Sequence, residues 1–177
     1  MKTNTSISGS GKITQGEYDS INISGSCHSE KDIRAHSLKI SGSCHQQGKI
    51  YADEIYLSGS IKSSGEVNAD FVEVSGIASL NDLFGEKITF LSANCNNFGF
   101  FRFEKQRKLS TVKNIECTTL EAACLQCDTI SAENITLTDG CIVDHIQCDG
   151  TLSYDSTCQV GTVEGTCTQN VLSLPGK

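Results

Sequence analysis

The tetrapeptide Ile-Ser-Gly-Ser begins at Ile7, Ile23 and Ile40, and it continues as Leu57-Ser58-Gly59-Ser60 and Val74-Ser75-Gly76. The chain therefore repeats with a period of 16 or 17 over this stretch. A repeat this short cannot contain two helices. It fits one coil of a β-helix, in which three short strands surround a thin core and pair with the coils above and below. The sequence thus predicts an all-β solenoid.

A second pattern extends the repeat beyond the Ser-Gly-Ser tetrapeptides. Two apolar or small residues separated by one position are followed, after a gap of two positions, by two more separated by one. The one-residue gaps are strand alternation that turns both side chains inward, and the longer gap is a corner. The pattern occurs in nine rows: Gly16-Tyr18-Ile21-Ile23, Ile33-Ala35-Leu38-Ile40, Ile50-Ala52-Ile55-Leu57, Val67-Ala69-Val72-Val74, Leu83-Gly85-Ile88-Phe90, Ile115-Cys117-Leu120-Ala122, Ile130-Ala132-Ile135-Leu137, Cys141-Val143-Ile146-Cys148 and Cys158-Val160-Val163-Gly165.

The large apolar residues of these rows are the predicted core of the solenoid. The clearest core stacks are Ile33, Leu38, Ile40, Ile50, Ile55, Leu57, Val67, Val72, Val74, Ile130, Ile135 and Leu137. Together the rows predict a single domain of about nine to ten coils.

Two steps between rows are irregular. The long step separates the row that begins at Leu83 from the row that begins at Ile115, and the short step separates the rows that begin at Ile130 and Cys141. The long step predicts either a degraded coil or a decoration packed on the flank, and the short step predicts a coil with one shortened side. The predicted organisation is a short polar tail (1–6), a β-helix domain (7–167) with an irregular interruption (92–112), and a C-terminal tail (168–177) that could cap the last coil.

Composition agrees with one elongated domain whose strands nearly all pair. The only proline of the 177 residues is Pro175, as expected if the body of the chain belongs to hydrogen-bonded ladders that a proline would interrupt. The sequence contains no 18-residue apolar run, so we expect no transmembrane span. It also lacks the apolar stretch of a signal peptide near its start, so we expect a cytoplasmic protein.

The net charge of −7 disfavours nucleic acid or an anionic membrane as the main partner. One segment is an exception, because it combines four phenylalanines with four cations: Phe98, Phe100, Phe101, Phe103, Arg102, Lys105, Arg107 and Lys108. It could be a nucleic-acid or lipid patch, but a charged loop that shields an apolar flank is the favoured interpretation.

The ten cysteines are interpreted as reduced thiols. Cys27 and Cys44 occupy the same place in adjacent coils, and Ile61 occupies it in the next coil, so cysteine acts there as a small inward hydrophobe. Cys141 and Cys158 match in the same way. Oxidisable or thiol-switch cysteines are one alternative, and metal binding is another, suggested by the Cys27-His28 and Cys44-His45 pairs and by the spacing of Cys124 and Cys127. It is disfavoured because His28 and His45 would face solvent and no second ligand pair is present.

Catalysis is also disfavoured, and the chain is predicted not to be an enzyme. Asp53 and Asp70 follow His36 at an outer corner, where a solvated charge column is a simpler explanation than a polysaccharide-cleaving site. The outward serine columns lack a neighbouring base: Ser24, Ser41, Ser58 and Ser75, and Ser26, Ser43 and Ser60. The Gly9-Ser10-Gly11 segment lacks the features of a phosphate-binding loop. We therefore expect no catalytic residues, metal or cofactor.

From Ser41 to Ile55 and from Ser58 to Val72, Ser-Gly-Ser is followed by Gly-x-Ile/Val-x-Ala-x-x-Ile/Val, and this pattern resembles the bactofilins, a family of bacterial polymer-forming cytoskeletal proteins. Segments 16–21, 130–137 and 160–165 are similar to the divergent Firmicute-type branch of that family. The resemblance implies a right-handed β-helix that polymerises end to end without nucleotide into cytoplasmic, often membrane-associated, scaffolding filaments.

The ends of the solenoid offer a mechanism for such assembly, because the last coil presents unpaired backbone groups and an apolar cross-section. We expect the polymerisation interface to include Tyr18, Ile21 and Ile23 at one end and Val160 and Val163 at the other. At the second end, Val171, Leu172 and Leu174 could form a cap. These three hydrophobic residues precede Pro175.

The predicted function is therefore a self-assembling cytoskeletal scaffold. Its main partner would be a second copy of itself, and further partners would be another bactofilin-like chain or a cytoplasmic or membrane protein docked on the scaffold. Nucleic acid is not expected, and any membrane association would run through partners. A non-polymerising β-helical binding or adaptor module is the first alternative, and a β-helical carbohydrate-active enzyme is the second.

Overall fold

The computed structural model describes residues 3–91 and 108–173, and these residues form one all-β solenoid. Fifteen strands belong to a single sheet in which every described pairing is parallel. The sheet winds through about nine coils. The predicted all-β solenoid fold is confirmed.

Each coil of the N-terminal half combines a longer strand with a shorter one. These strands are β1 (Thr3–Ile7), β2 (Ser10–Lys12), β3 (Gly16–Ile23), β4 (Ser26–Ser29), β5 (Ile33–Ile40), β6 (Ser43–Gln46), β7 (Ile50–Leu57), β8 (Ser60–Ser63) and β9 (Val67–Val74). In the C-terminal half the strands are β10 (Ile77–Phe90), β11 (Ser110–Ala123), β12 (Leu125–Thr138), β13 (Ile142–Asp155), β14 (Gln159–Glu164) and β15 (Thr168–Leu172).

Two rows of pairing run along the solenoid. The first follows the order β1-β3-β5-β7-β9-β10-β11-β12-β13-β14, and the second joins β2, β4, β6, β8 and β10. β15 pairs with β13. Each strand therefore pairs mainly with the equivalent strand one coil away, which is the nearest-neighbour architecture of a repeat protein.

The core consists of inward columns in which one apolar side chain lies above the next. Leu38 pairs with Ile55, which in turn pairs with Val72, and all three side chains are buried. Every residue named above as a predicted core stack is buried. Burial of each such side chain is worth about 1.5–3 kcal/mol relative to exposure, so the columns supply the main driving force for folding.

The repeated Ser-Gly-Ser tripeptide is explained by a corner at which successive coils come very close. The amides of Ser24 and Gly25 both donate to the carbonyl oxygen of Ile7, at 2.9 and 3.1 Å. A Cβ atom added to Gly25 would lie 1.9 Å from the carbonyl oxygen of Gly9. The same clash recurs in the following coils, so glycine is required there by close backbone approach.

The long step between rows contains no additional coil in the ladder. β10 pairs directly with β11, so Leu83 lies beside Ile115 and Phe90 lies beside Ala122. A degraded coil is therefore excluded. Residues 110–112 of the predicted interruption belong to β11. Residues 92–107, which include its phenylalanines and all its cations except Lys108, lie outside the described residues, and the flank decoration stays a prediction.

The short step between rows arose because the rows that begin at Cys141 and Cys158 were assigned to the wrong register. Ile130 pairs with Ile146, and Ile146 pairs with Val163, so the repeat keeps its regular period here. Cys141 and Val143 belong to the preceding face of the coil, where Val143 pairs with Cys127. Both faces carry an apolar-x-apolar pattern, so the sequence pattern alone did not distinguish them. No side of the coil is shortened in the predicted way.

Candidate functional site: the two ends of the solenoid

The C-terminal coil leaves one edge of its ladder open in the described structure. β14 and β15 pair with β13 on one side, and the described residues supply no strand for the other side. An open strand edge presents unpaired backbone N–H and C=O groups that can accept another strand. This edge is therefore a ready template for a further coil.

The same coil exposes apolar side chains that inner coils bury. Val163 lies beside the fully buried Ile146 but is itself only half-buried, and Val160 is half-buried beside the buried Val143. Val171 is 67% exposed. The C-terminal end thus combines an open ladder with partly exposed apolar side chains, and Val160 and Val163 are among them.

The described part of the predicted C-terminal cap is a strand. Residues 168–172 form strand β15, which continues the ladder, so Val171 pairs with Tyr154 and Leu172 pairs with Asp155. Because these residues extend the last coil sideways along the sheet, they do not fold across its open end. Leu174 and Pro175 lie outside the described residues.

The N-terminal end differs from the prediction by one coil. Residues 3–6, which were expected to be a polar tail, belong to β1. This strand pairs with β3 and so covers the residues that were expected in the terminal coil. Thr3 pairs with Tyr18, and Thr5 pairs with Ile21. Tyr18, Ile21 and Ile23 are consequently buried in the second coil, and they are not available as a terminal interface.

The first coil hides its apolar side chains, unlike the last. Ile7 and Ile13 are both buried although no described coil lies above them. The side chain of Ile7 folds over Gly11, where an added Cβ atom would lie 3.1 Å from Cγ2 of Ile7. At the open end of the solenoid, this coil presents Thr3 and Thr5 at its inward positions instead. The two ends are therefore chemically different, and the C-terminal end is the more apolar.

The cysteines lie mainly inside the solenoid, as small hydrophobic residues would. Cys27 and Cys44 are direct neighbours on β4 and β6 and both are buried. A hydrogen bond between their thiols lowers the pKa of Cys27 and raises the pKa of Cys44. Burial raises the pKa of Cys141 and of Cys127 to about 12. Cys124 is disulfide-bonded, so the expectation that all thiols are reduced is wrong for this residue.

The two histidines next to this cysteine pair point outward. Their rings stack with centroids 5.2 Å apart, and Lys62 follows His45 in the next coil. Nε2 of His28 lies 3.4 Å from a carboxylate oxygen of Glu30. Within residues 3–91 and 108–173, no three His, Cys, Asp or Glu side chains are grouped to hold a metal ion.

The corner column of His36, Asp53 and Asp70 is exposed to solvent. Nδ1 of His36 lies 2.6 Å from the Asp53 carboxylate, and this hydrogen bond raises the pKa of His36. A cleft of about 380 Å³ runs beside the column. Ala35 and Ala52, whose side chains are small, are paired in successive coils and line this cleft.

Serines of the first column are hydrogen-bonded to the backbone at the close corner. Ser24 and Ser41 donate from their hydroxyls to the carbonyl oxygens of Ile7 and Ile23, respectively, across to the preceding coil. These hydroxyls therefore support the corner through hydrogen bonds to main-chain oxygens.

Comparison of the chain with protein-family models, with curated proteins and with solved structures finds no match. A membrane-spanning helix is not found anywhere in the two described ranges.

Proposed function

We propose that this chain is a non-enzymatic scaffold protein that assembles, without nucleotide, by end-to-end stacking of its solenoids. The observation that carries the proposal is the C-terminal coil, where an open ladder edge coincides with half-buried valines. A second chain stacked on this end would pair the free backbone groups and remove Val160 and Val163 from water. If the end remains free in solution, neither the additional backbone hydrogen bonds nor the burial of these valines is obtained.

End-to-end assembly would bury little new surface on the flanks, because flank side chains point sideways and coils pair only with the coils before and after them. The outward residues of β14 support this distinction. Thr162 is exposed and pairs with His145, whereas its neighbour Val163 is half-buried and pairs with Ile146. A change at Val163 therefore tests contacts made by stacking, and a change at the adjacent Thr162 tests contacts made through the flank.

The test is high-speed sedimentation and negative-stain electron microscopy of the purified protein without nucleotide. The wild-type protein is expected to sediment and to show filaments. Val163→Arg should stay in the supernatant, because stacking would bury an unpaired cation. Thr162→Arg is the matched control, with the same added charge on the outward face, and it should sediment as the wild type does.

Circular dichroism must show that both variants keep their β-sheet content. If Val163→Arg still forms long filaments, assembly does not run through the C-terminal end. If the wild-type protein stays monomeric at all concentrations tested, the scaffold proposal is wrong.

A non-polymerising binding module is the second candidate, and the cleft beside the corner column favours it. The guanidinium carbon of Arg34 lies 4.3 Å from the ring centroid of Tyr51, so a planar cation and an aromatic ring line the same cleft as Asp53 and Asp70. A wild-type protein that remains monomeric in the sedimentation test would support this alternative.

A further inference from the structure

Two pairs of cysteines lie on equivalent faces of the coil at different distances from the C-terminal end. Cys27 and Cys44 are neighbours in the second and third coils. Cys141 and Cys158 immediately precede the paired residues Ile142 and Gln159, and the amide of Gln159 donates to the carbonyl oxygen of Cys141 at 2.8 Å. The Cys141 thiol donates to the carbonyl oxygen of Thr138 at 3.2 Å, and the Cys158 thiol donates to the Asp155 carboxylate at 3.5 Å.

The pairs differ in how easily a dissolved molecule can reach them. Cys27 is 5% exposed and Cys44 is 3% exposed, because coils cover them on both sides. Cys141 is 0% exposed, but Cys158 is half-buried since no described coil follows it. Of these two pairs, only the second therefore joins an accessible thiol to a buried one.

We propose that Cys158 and Cys141 form a redox-controlled staple, which closes by exchange with a small disulfide such as oxidised glutathione. Equivalent residues on adjacent parallel strands are about 4.8 Å apart, which is within the Cα separation of about 4.4–6.8 Å that a disulfide requires. The staple joins the last coil covalently to the coil that contains β13. This inference does not depend on filament assembly.

The reaction consists of two balanced exchange steps. The thiolate of Cys158, its proton released to water, attacks one sulfur of oxidised glutathione and expels one glutathione thiolate. Cys141 then loses its proton and attacks the Cys158 sulfur of the mixed disulfide, which expels the second glutathione thiolate. Both expelled thiolates take up protons. Overall, two cysteine thiols are oxidised and one glutathione disulfide is reduced to two glutathione thiols.

The test treats the supernatant left after high-speed sedimentation with oxidised glutathione, so that assembly cannot hide the last coil. Remaining thiols are then blocked with N-ethylmaleimide in urea, so that buried thiols also react, and disulfides are mapped by peptide mass spectrometry. We expect a Cys141–Cys158 disulfide in the folded protein. Cys27 and Cys44 serve as the internal control. Both should be recovered as blocked thiols and not as a disulfide, unless the protein is unfolded in urea before oxidised glutathione is added.

A variant separates the two steps of the reaction. Cys141→Ala removes the second attacking thiol, so Cys158 should accumulate glutathione as a stable mixed disulfide. In the wild-type protein, glutathione retained on Cys158 would overturn the staple. An unreacted Cys158, a bond from Cys158 to Cys167 or to another chain, or equal oxidation of Cys27 and Cys44 in the folded protein would also overturn it.

Discussion

Gly42 lies so close to Gly25 in the preceding coil that a Cβ atom on Gly42 would be 2.0 Å from the Gly25 carbonyl oxygen. The amides of Ser41 and Gly42 both donate to the carbonyl oxygen of Ile23, at 2.8 and 3.0 Å, and hold this approach in place. The repeat visible in the sequence is therefore the trace of a steric requirement at one corner.

Substitution of this glycine should destabilise the solenoid. Gly42→Ala forces backbone to move, and we expect a loss of about 1–3 kcal/mol in the free energy of unfolding, the usual cost of overpacking. Gly9→Ala is the matched control, because nothing lies within 4 Å of the added Cβ atom, and its effect should be within about 0.5 kcal/mol. Urea denaturation followed by circular dichroism measures both. Equal midpoints would contradict the steric explanation.

A charge placed in a core column should be far more damaging. Ile55 is buried between Leu38 and Val72, so Ile55→Asp buries an unpaired carboxylate at a cost of several kcal/mol. We expect unfolding or aggregation. Lys39→Asp, on the exposed face of β5, is the control and should change stability by no more than about 1 kcal/mol. A soluble Ile55→Asp protein with an unchanged melting temperature would show that the core register is wrong.

The extra N-terminal coil gives a third prediction. Ile23 is 1% exposed and pairs with Ile7, so Ile23→Arg should lower the melting temperature strongly instead of acting only on assembly. Thr5 is half-buried on the outermost strand, so Thr5→Arg should fold normally. Thermal unfolding of both variants decides this. If the Ile23→Arg protein is as stable as the wild type, Ile23 lies in the terminal coil and β1 does not cover it.

The His36–Asp53 contact predicts a dependence on pH. The contact raises the pKa of His36 above its ordinary value. Its small stabilising effect is therefore fully present below about pH 6.5, the ordinary pKa of histidine, and is lost as the pH rises through the raised value. A titration followed by nuclear magnetic resonance should show a higher midpoint for His36 in the wild type than in Asp53→Asn. Identical midpoints in the two proteins would contradict the contact.

The inner coils could be predicted from sequence because two constraints coincide there. Inward alternation identifies residues such as Leu38, and the glycine corner fixes where each coil starts, so the register of residues 16–90 follows from both. Downstream of β11 the glycine corner is absent from the sequence pattern. Only alternation remained, and it assigned Cys141 to the wrong face.

The ends were harder to predict because burial no longer determines residue type there. Thr3 and Thr5 occupy inward positions of the first coil, but water reaches that coil from above, so threonine is tolerated where inner coils carry larger apolar residues. The same freedom places Gln169 beside the buried Leu152 in the last coil. These positions of the terminal coils thus lack the apolar signature by which inner coils are recognised.

The direct pairing of β10 with β11 has a consequence for how this protein can be altered. Phe90 and Ala122 are neighbours in the ladder although they lie on opposite sides of the long step between rows. The two strands therefore pair directly with each other, regardless of the segment that connects them in sequence. The entropic cost of a longer connection rises by only about 0.6 kcal/mol for each doubling of its length. This junction is the natural place to insert a fluorescent domain or an affinity tag while both ends of the solenoid keep their native sequence.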